Sequence, residues 1–510
     1  MRVVVSRTPM DAQPRHILSH ALAPCLALAL VLVSLQGCKV GPNYETPQVL
    51  PAEQWSRRSD APLSDDTPQL REWWRNFNDP ILDQLIGQAE QSNATLEQAL
   101  ASVRVSLGAL GVSESQFWPQ VSVVGMYERN KTNISLLAAQ GVETSPYDVW
   151  GAGAVMASWE IDVWGRVARM VESAKAELES DIENLRAALI TIRSEVGTGY
   201  MAVRTLQRQL ALLKAGIENV KITLDVAQRR LTAGTNTALD VAQIQAELDS
   251  LEAMLPDVEG DLDAAIFAIA ELCGSAPAPI KALLEAPAPL PTMDERIGMG
   301  IPADLLRRRP DVRASERNAA AAVAMIGANE ALNLPVFALS GNIYVAANQF
   351  SGLGNSSNIA YGFGPTVSWL AFSGGYVTSM ITQSRAQAQV ALAAYRGTVL
   401  DAVRDVETTA SMLVYSKQAA ERTAEAVKSY QTAYDLANKQ FSAGTIDIDR
   451  LVNLQNRLLQ AQRMQADADG SVAQNIVSLY RALGGGWDEG AVNESALRSA
   501  DMASSTAAPK

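Results

Sequence analysis

AQRRLTAGTNTALDVAQIQAEL (residues 227–248) and ANKQFSAGTIDIDRLVNLQNRLL (437–459) write one short turn twice, with Ala-Gly-Thr at a constant offset of 210 residues. Apolar residues recur at steps of three and four on both sides of each turn. In the first copy the register starts at Leu178, Ile182, Leu185 and Leu189 and runs to Leu231; its counterpart runs from Ala388 to Phe441. A 3.5-residue period held this long marks a coiled-coil seam. No proline lies between Gly165 and Ala233, and at 1.5 Å per residue such a helix is roughly 100 Å long. The seam resumes after each turn, from Val241 to Leu272 and from Leu451 toward Ala482. Gly234 and Gly444 suit the left-handed residue that closes a helix, and Thr235 or Asn236 is placed to cap the returning one. Two antiparallel helical hairpins are expected, with the first returning helix kinked or broken at Pro256.

The repetition extends outward. Trp159 in ASWEIDVWGRV and Trp369 in VSWLAFSGGYV keep the offset of 210, while Pro119 and Pro335 stand 216 apart. The difference falls in the polar, turn-rich stretch NKTNISLLAAQGVETSPYD (130–148), so an internal duplication with one variable loop is expected. A third helix precedes the strands in each copy, over 80–117 and 302–333. The strands are VSVVGMYERN (121–130), YDVWGAGAVMASWEI (147–161), VFALSGNIYVA (336–346) and NIAYGFGPTVSWLAF (358–372). In the first, Val121, Val123, Gly125 and Tyr127 share one face. Aromatics beside short alternating strands are the texture of a membrane β-barrel, although a soluble four-stranded sheet shares it. In lipid, an open sheet leaves unpaired edge groups that cost several kcal/mol each. Four strands cannot close alone. Two chains supply eight strands, which fill their own interior, and three supply twelve, enough for a pore.

The 510 residues allow two or more domains. Arg2, Arg7 and Arg15 precede the apolar run ALAPCLALALVLVSL (21–35). Such a run is a secretory signal, shorter than the ~20 residues of a membrane span; Met10 is an alternative start. The following LQGC (35–38) resembles a bacterial lipobox, which implies a lipid on Cys38 as its covalent modification. Lys39 stands where an inner-membrane retention aspartate would, which implies sorting to the outer membrane. Both histidines, His16 and His20, lie in the signal. The remaining chain thus has no Ser-His-Asp or Cys-His catalysis and no histidine-bound metal. With Cys25 in the signal and Cys38 acylated, Cys273 is the one free thiol and no internal disulfide forms. No GxxxxGK loop is present. No enzyme and no cofactor are expected; a carboxylate-based hydrolase would need a compact pocket motif that the sequence lacks. The formal net charge of −13, more negative once the arginines of the signal are removed, repels nucleic acid.

Five stretches carry a family resemblance: GCKVGPNYETP (37–47), WWRNFNDPILDQLIGQAEQSNATLEQALA (73–101), WEIDVWGRV (159–167), AGTNTALDVAQIQAELDSLEA (233–253) and IPADLLRRRPDVRASERNAAAA (301–322). The chain resembles the outer membrane factors of tripartite efflux pumps, the TolC-like family, and within it the NodT-type lipoproteins. The resemblance implies a mixed membrane fold. Long antiparallel coiled coils would form a periplasmic α-barrel, and four β-strands per chain would join a shared trimeric twelve-stranded outer membrane β-barrel. It implies a homotrimer in the outer membrane of a Gram-negative bacterium. That trimer would be a passive exit duct for small-molecule drugs or toxic compounds. A periplasmic adaptor would join it to an inner-membrane transporter of the resistance–nodulation–division type. A type I protein-secretion duct shares the fold, and a lipid-anchored coiled-coil spacer without a pore is a third alternative.

The expected segments are a signal (1–37), a lipidated linker (38–78), a first repeat (79–273), an equatorial linker (274–301), a second repeat (302–483) and a C-terminal tail (484–510), disordered toward its end. Two departures from the family stand out. AGTIDIDRLVNLQNR (443–457) has Asn453 near an expected aspartate, and Phe372-Ser373-Gly374-Gly375-Tyr376 replaces Phe-Asp-Gly-Gly-Arg. Asp447, Asp449 and Arg450 are the gate candidates, as a charged constriction or as ordinary helix-start charges. Gly234, Thr235, Gly444 and Thr445 are candidates for docking the adaptor, or plain helix ends. Arg307, Arg308, Arg309 and Asp311 are expected in helix-start and equatorial salt bridges. Trp73 and Trp74 are expected as packing anchors.

Overall fold

The computed structural model describes residues 39–47, 71–130, 146–293 and 308–487, with Ala152 and Gly153 described by backbone alone. Cys38, Arg307, the expected signal and the tail beyond 487 lie outside the described residues. The elements are α1 (Pro80–Ser92), α2 (Ala94–Ser115), β1 (Gln120–Asn130), β2 (Tyr147–Ile161), α3 (Arg166–Thr232), α4 (Ala238–Leu272), α5 (Pro277–Leu284), α6 (Pro310–Glu330), β3 (Val336–Ala347), β4 (Ile359–Ser368), α7 (Tyr376–Ser442) and α8 (Ile448–Ala482). Helices α3 and α7 have 67 residues each, roughly 100 Å of rod. Helices α4 and α8 have 35 residues each. No described helix is long and apolar enough to cross a membrane.

The chain forms two compact units. One holds Met1–Glu45, Ala109–Ala176 and Ala320–Gln389, and so contains the sheet. Its four strands run in the order β1-β2-β3-β4, all neighbours antiparallel. Among the described residues β1 and β4 each pair on one side only. One extra residue of β2, near Ala152–Ala154, shifts the register against both neighbours, a β-bulge. Each turn into the sheet is fixed locally. Asp162 accepts the Val167 and Ala168 N–H groups at 3.0 and 2.8 Å to start α3. The Trp159 indole donates to the Phe117 carbonyl, and the Trp369 indole to that of Asn333.

The second unit holds Thr46–Gly108, Glu177–Ala319 and Val390–Lys510. Its helices pack by the heptad seam. Leu213, Ile217, Val220 and Leu224 of α3 meet Ile244, Leu248 and Leu251 of α4, with Ala437, Phe441 and Leu451 of the second hairpin. Glycine lets α3 and α8 close up: a Cβ on Gly216 would sit 2.5 Å from Leu459, and one on Gly470 would meet Thr205. A second core gathers Trp73, Trp74 and Phe77 against α1, α3 and α8. Trp73, 1 % exposed, stacks on Tyr480 at 5.8 Å.

Five local features depart from or add to the reading of the sequence. The helix over 80–117 is two helices, because Asn93 caps α2 through the Thr95 and Leu96 N–H groups while its amide reaches the Leu272 carbonyl at 2.8 Å. Helix α4 runs on through Pro256; the carbonyl freed by the missing N–H belongs to the exposed Glu252, and Leu251 and Val258 stay buried on either side. Thr237, not Thr235 or Asn236, caps α4. The linker from 274 contains α5, which Pro277 starts and buried Ile280 and Leu284 hold down. Strand β4 ends at Ser368, before Trp369–Phe372.

Candidate functional site

Two surfaces stand out, and the sheet is the first. Its register puts Val121 and Val123 beside Ala157 and Val155, and these beside Gly341 and Ile343. Phe337, Leu339 and Ile343 in turn face Val367, Pro365 and Tyr361. That face is apolar from edge to edge. The opposite face carries Ser122, Ser158, Ser340, Asn342 and Thr366. Both faces are open in this chain: on the apolar one Val123 is 72 % exposed, Phe363 81 % and Tyr361 83 %, and on the other Ser122, Ser158, Asn342 and Thr366 are exposed too. Exposed Trp118, Trp369 and Phe372 follow at the end where β1 starts and β4 stops.

The hairpin turns are the second surface. Both close alike. The Gly234 N–H donates to the Leu231 carbonyl and the Thr235 N–H to that of Arg230; Gly444 and Thr445 repeat this onto Phe441 and Gln440. Both glycines have φ +75°, and a Cβ on either would meet open space. The pattern is the Schellman close of a helix. Each threonine hydroxyl bonds the same carbonyl as its own N–H, at 3.1 and 3.0 Å. This commitment is why Thr235 does not cap α4.

The turns differ in what starts the returning helix. Thr237 Oγ1 accepts the Asp240 N–H at 3.2 Å, and Asp240 Oδ2 accepts that of Thr237 at 2.8 Å. This reciprocal pair is a capping box. In the second turn Asp447 occupies the cap position but its carboxylate accepts no helix N–H, and Arg450 stands at the place of Asp240. Asp449 and Arg450, with Gln440 and Asn453, line a cleft of about 670 Å³ between α7 and α8. The structure thus brings Asp449 and Arg450 together and leaves Asp447 outside the cleft. The Arg230 guanidinium lies 4.0 Å over the Phe441 ring and joins the two turns.

Arg308, Arg309 and Asp311 gather around the start of α6. Arg309 meets Asp311 in a fork (3.0 and 2.7 Å), reaches Asp405 at 3.4 Å and donates to the Ala482 carbonyl at 3.1 Å. Burial disfavours its charge, but the two carboxylates outweigh that and hold it above its ordinary pKa. Arg308 offers its carbonyl to the Trp487 indole. Cys273 is buried, and burial pushes its thiol up to about 11. Among the described residues no cluster of His, Cys, Asp or Glu could hold a metal.

Sequence reasoning missed a set of arginines on α3. Arg169 binds the Val40 and Gly41 carbonyls, Arg193 that of Gly486, and Arg204 that of Ala286. Arg169 and Arg204 are 1 % and 0 % exposed. No local pattern in the sequence marks them, because each takes a carbonyl that is distant along the chain.

The chain matches the model of a protein family described as outer membrane efflux protein over residues 85–275 and 301–485. It is 28 % identical over 472 residues to outer membrane protein OprJ of Pseudomonas aeruginosa, covering 90 % of this chain and 95 % of that one. To nodulation protein T of Rhizobium leguminosarum bv. viciae it is 26 % identical, covering 91 % and 93 %. The solved outer-membrane channel OprN superposes with a TM-score of 0.79 at 28 % identity, covering 88 % of this chain and all of that one.

Proposed function

Because this chain belongs to the outer membrane efflux protein family, we infer that the uncovered sheet and the paired rods are the working parts of an efflux exit duct. The chain is an outer membrane component of an efflux system, as its relatives are. We propose that three copies share one β-barrel of twelve strands, their helices continuing the duct into the periplasm. The apolar face carries this reading: it would meet lipid, while the serine, asparagine and threonine face would line water. The one-sided pairing of β1 and β4 supports closure by further copies.

The equal lengths of α3 and α7, and of α4 and α8, support an ancestral duplication. The duct is passive and needs no cofactor; its cargo is small toxic molecules or drugs. An adaptor would dock on the exposed turns at Gly234, Thr235, Gly444 and Thr445. An inner-membrane transporter of the resistance–nodulation–division type would supply energy. Cys38 would carry lipid.

Asp447, Asp449 and Arg450 would form a charged constriction in which Asp447, freed from capping, presents its carboxylate to the duct. Two measurements test this. Chemical cross-linking in outer membrane vesicles should trap trimers, and purified protein should conduct in a planar bilayer. Asp447→Ala with Asp449→Ala should change conductance and ion preference; unchanged current would remove the gate. A monomer without conductance would remove the duct.

A further inference from the structure

Arg169 is buried in the unit that contains the sheet, and most of its bonds go to one short segment. Its Nε donates to the Val40 carbonyl at 3.1 Å, and its Nη2 to the Gly41 carbonyl at 3.2 Å and to Asn43 Oδ1 at 2.9 Å. Glu172 takes the remaining guanidinium nitrogen and also the Lys39 ammonium at 3.2 Å. The backbone fits as tightly as the charges. Gly41 has φ +89°, and a Cβ there would lie 2.4 Å from Gly327; one on Gly327 would lie 2.4 Å from the Val40 carbonyl. The Val40 N–H donates to the Trp164 carbonyl at 3.1 Å. Lys39 packs against Gly165, the left-handed residue between β2 and α3.

This is the end of the sheet where β2 stops at Ile161 and β3 starts at Val336, bridged by the Trp164 indole on the Pro335 carbonyl at 2.8 Å. Exposed Trp118, Trp369 and Phe372 mark the same end, the level at which such rings meet headgroups. Residue 38 is one peptide bond from Lys39, about 3.8 Å between Cα atoms.

We propose that Arg169 is a positioning residue that clamps the N-terminal segment to the strand–helix junction, so that an acyl anchor on residue 38 enters the membrane at the rim of the sheet with no slack. The proposal rests on the reading of Cys38 as the lipidated residue. An ordinary packing role for Arg169 would destabilise the unit whether or not the chain is acylated. The clamp acts only through the anchor.

The full chain is expressed with its own signal, and in parallel as Cys38→Ala behind a non-lipoprotein signal. Each background carries Arg169 or Arg169→Gln. Labelled palmitate reports acylation, and the urea-resistant fraction of outer membrane protein reports insertion. Arg169→Gln should leave labelling intact and lower the inserted fraction roughly fivefold, but should add nothing to Cys38→Ala. An equal loss in both backgrounds overturns the proposal. A flexible spacer of eight Gly and Ser residues between Cys38 and Lys39 leaves the clamp whole and adds up to about 28 Å of reach. It should cause the same loss, and normal insertion with the spacer also overturns the proposal. Absence of palmitate from the parent chain would instead remove the lipid reading itself.

Discussion

The sheet and the hairpin core are built from the same kinds of side chain with opposite placement. In the core, Leu213, Val220 and Ile244 point into a seam and are nearly inaccessible. In the sheet, Val123, Tyr361 and Phe363 stand on an open face while Ser340 and Asn342 take the other. Period decides which is which: a 3.5-residue repeat gives a helix one apolar stripe to bury against a partner helix. A two-residue repeat gives a strand one whole apolar face, and here no other described segment covers it. The hydrophobic effect acts on both, with protein as the apolar solvent in one region and, in the proposed duct, lipid in the other.

The comparison breaks most visibly at its extremes. Trp73→Ala removes a buried ring from the helical unit and should cost about 3–5 kcal/mol, read as a fall in the denaturant midpoint. Phe363→Arg should cost about 2–4 kcal/mol in bilayer-reconstituted protein, whereas Thr366→Arg on the other face should cost little. If the two arginine variants exchanged places, the water-facing and lipid-facing assignments would be reversed. Gly234→Ala and Gly444→Ala both force a Cβ into φ +75° and should each lose about 1–2 kcal/mol, by equal amounts, since the two turns close alike. Smallest is the difference at the caps. Thr237→Ala should cost about 1 kcal/mol, and Asp447→Ala only a fraction of that, because its carboxylate bonds no helix N–H. Equal costs there would mean that Asp447 caps α8 in solution.

The rods, the turns and the strand positions were legible because each is written in local period and turn chemistry. Beta strand β2 begins and ends at the expected Tyr147 and Ile161, and Gly234 and Gly444 take the left-handed conformation that their position predicts. What was not legible depends on distant partners. Asn93 breaks a helix partly because the Leu272 carbonyl, 179 residues on, takes its amide. The β2 bulge changes which residues share a face, so alternation could not be followed across the whole strand. Of the charged candidates, Asp449 and Arg450 meet in one cleft, and Asp447 is set apart by a missing cap bond that sequence cannot display. Arg169, Arg193 and Arg204 looked like ordinary polar positions on a long helix.

Those α3 arginines also set a timetable. Their carbonyl partners lie 129, 293 and 82 residues away along the chain, and the Gly486 carbonyl is made long after Arg193. Until it arrives, Arg193 has the Glu90 carboxylate, at 2.7 Å and made earlier, but not the carbonyl that takes its other nitrogen. Closing so long a loop is entropically expensive before the contact rewards it. A chain made from its N-terminus therefore holds its central rod without this contact until the segment that follows α8 has been made.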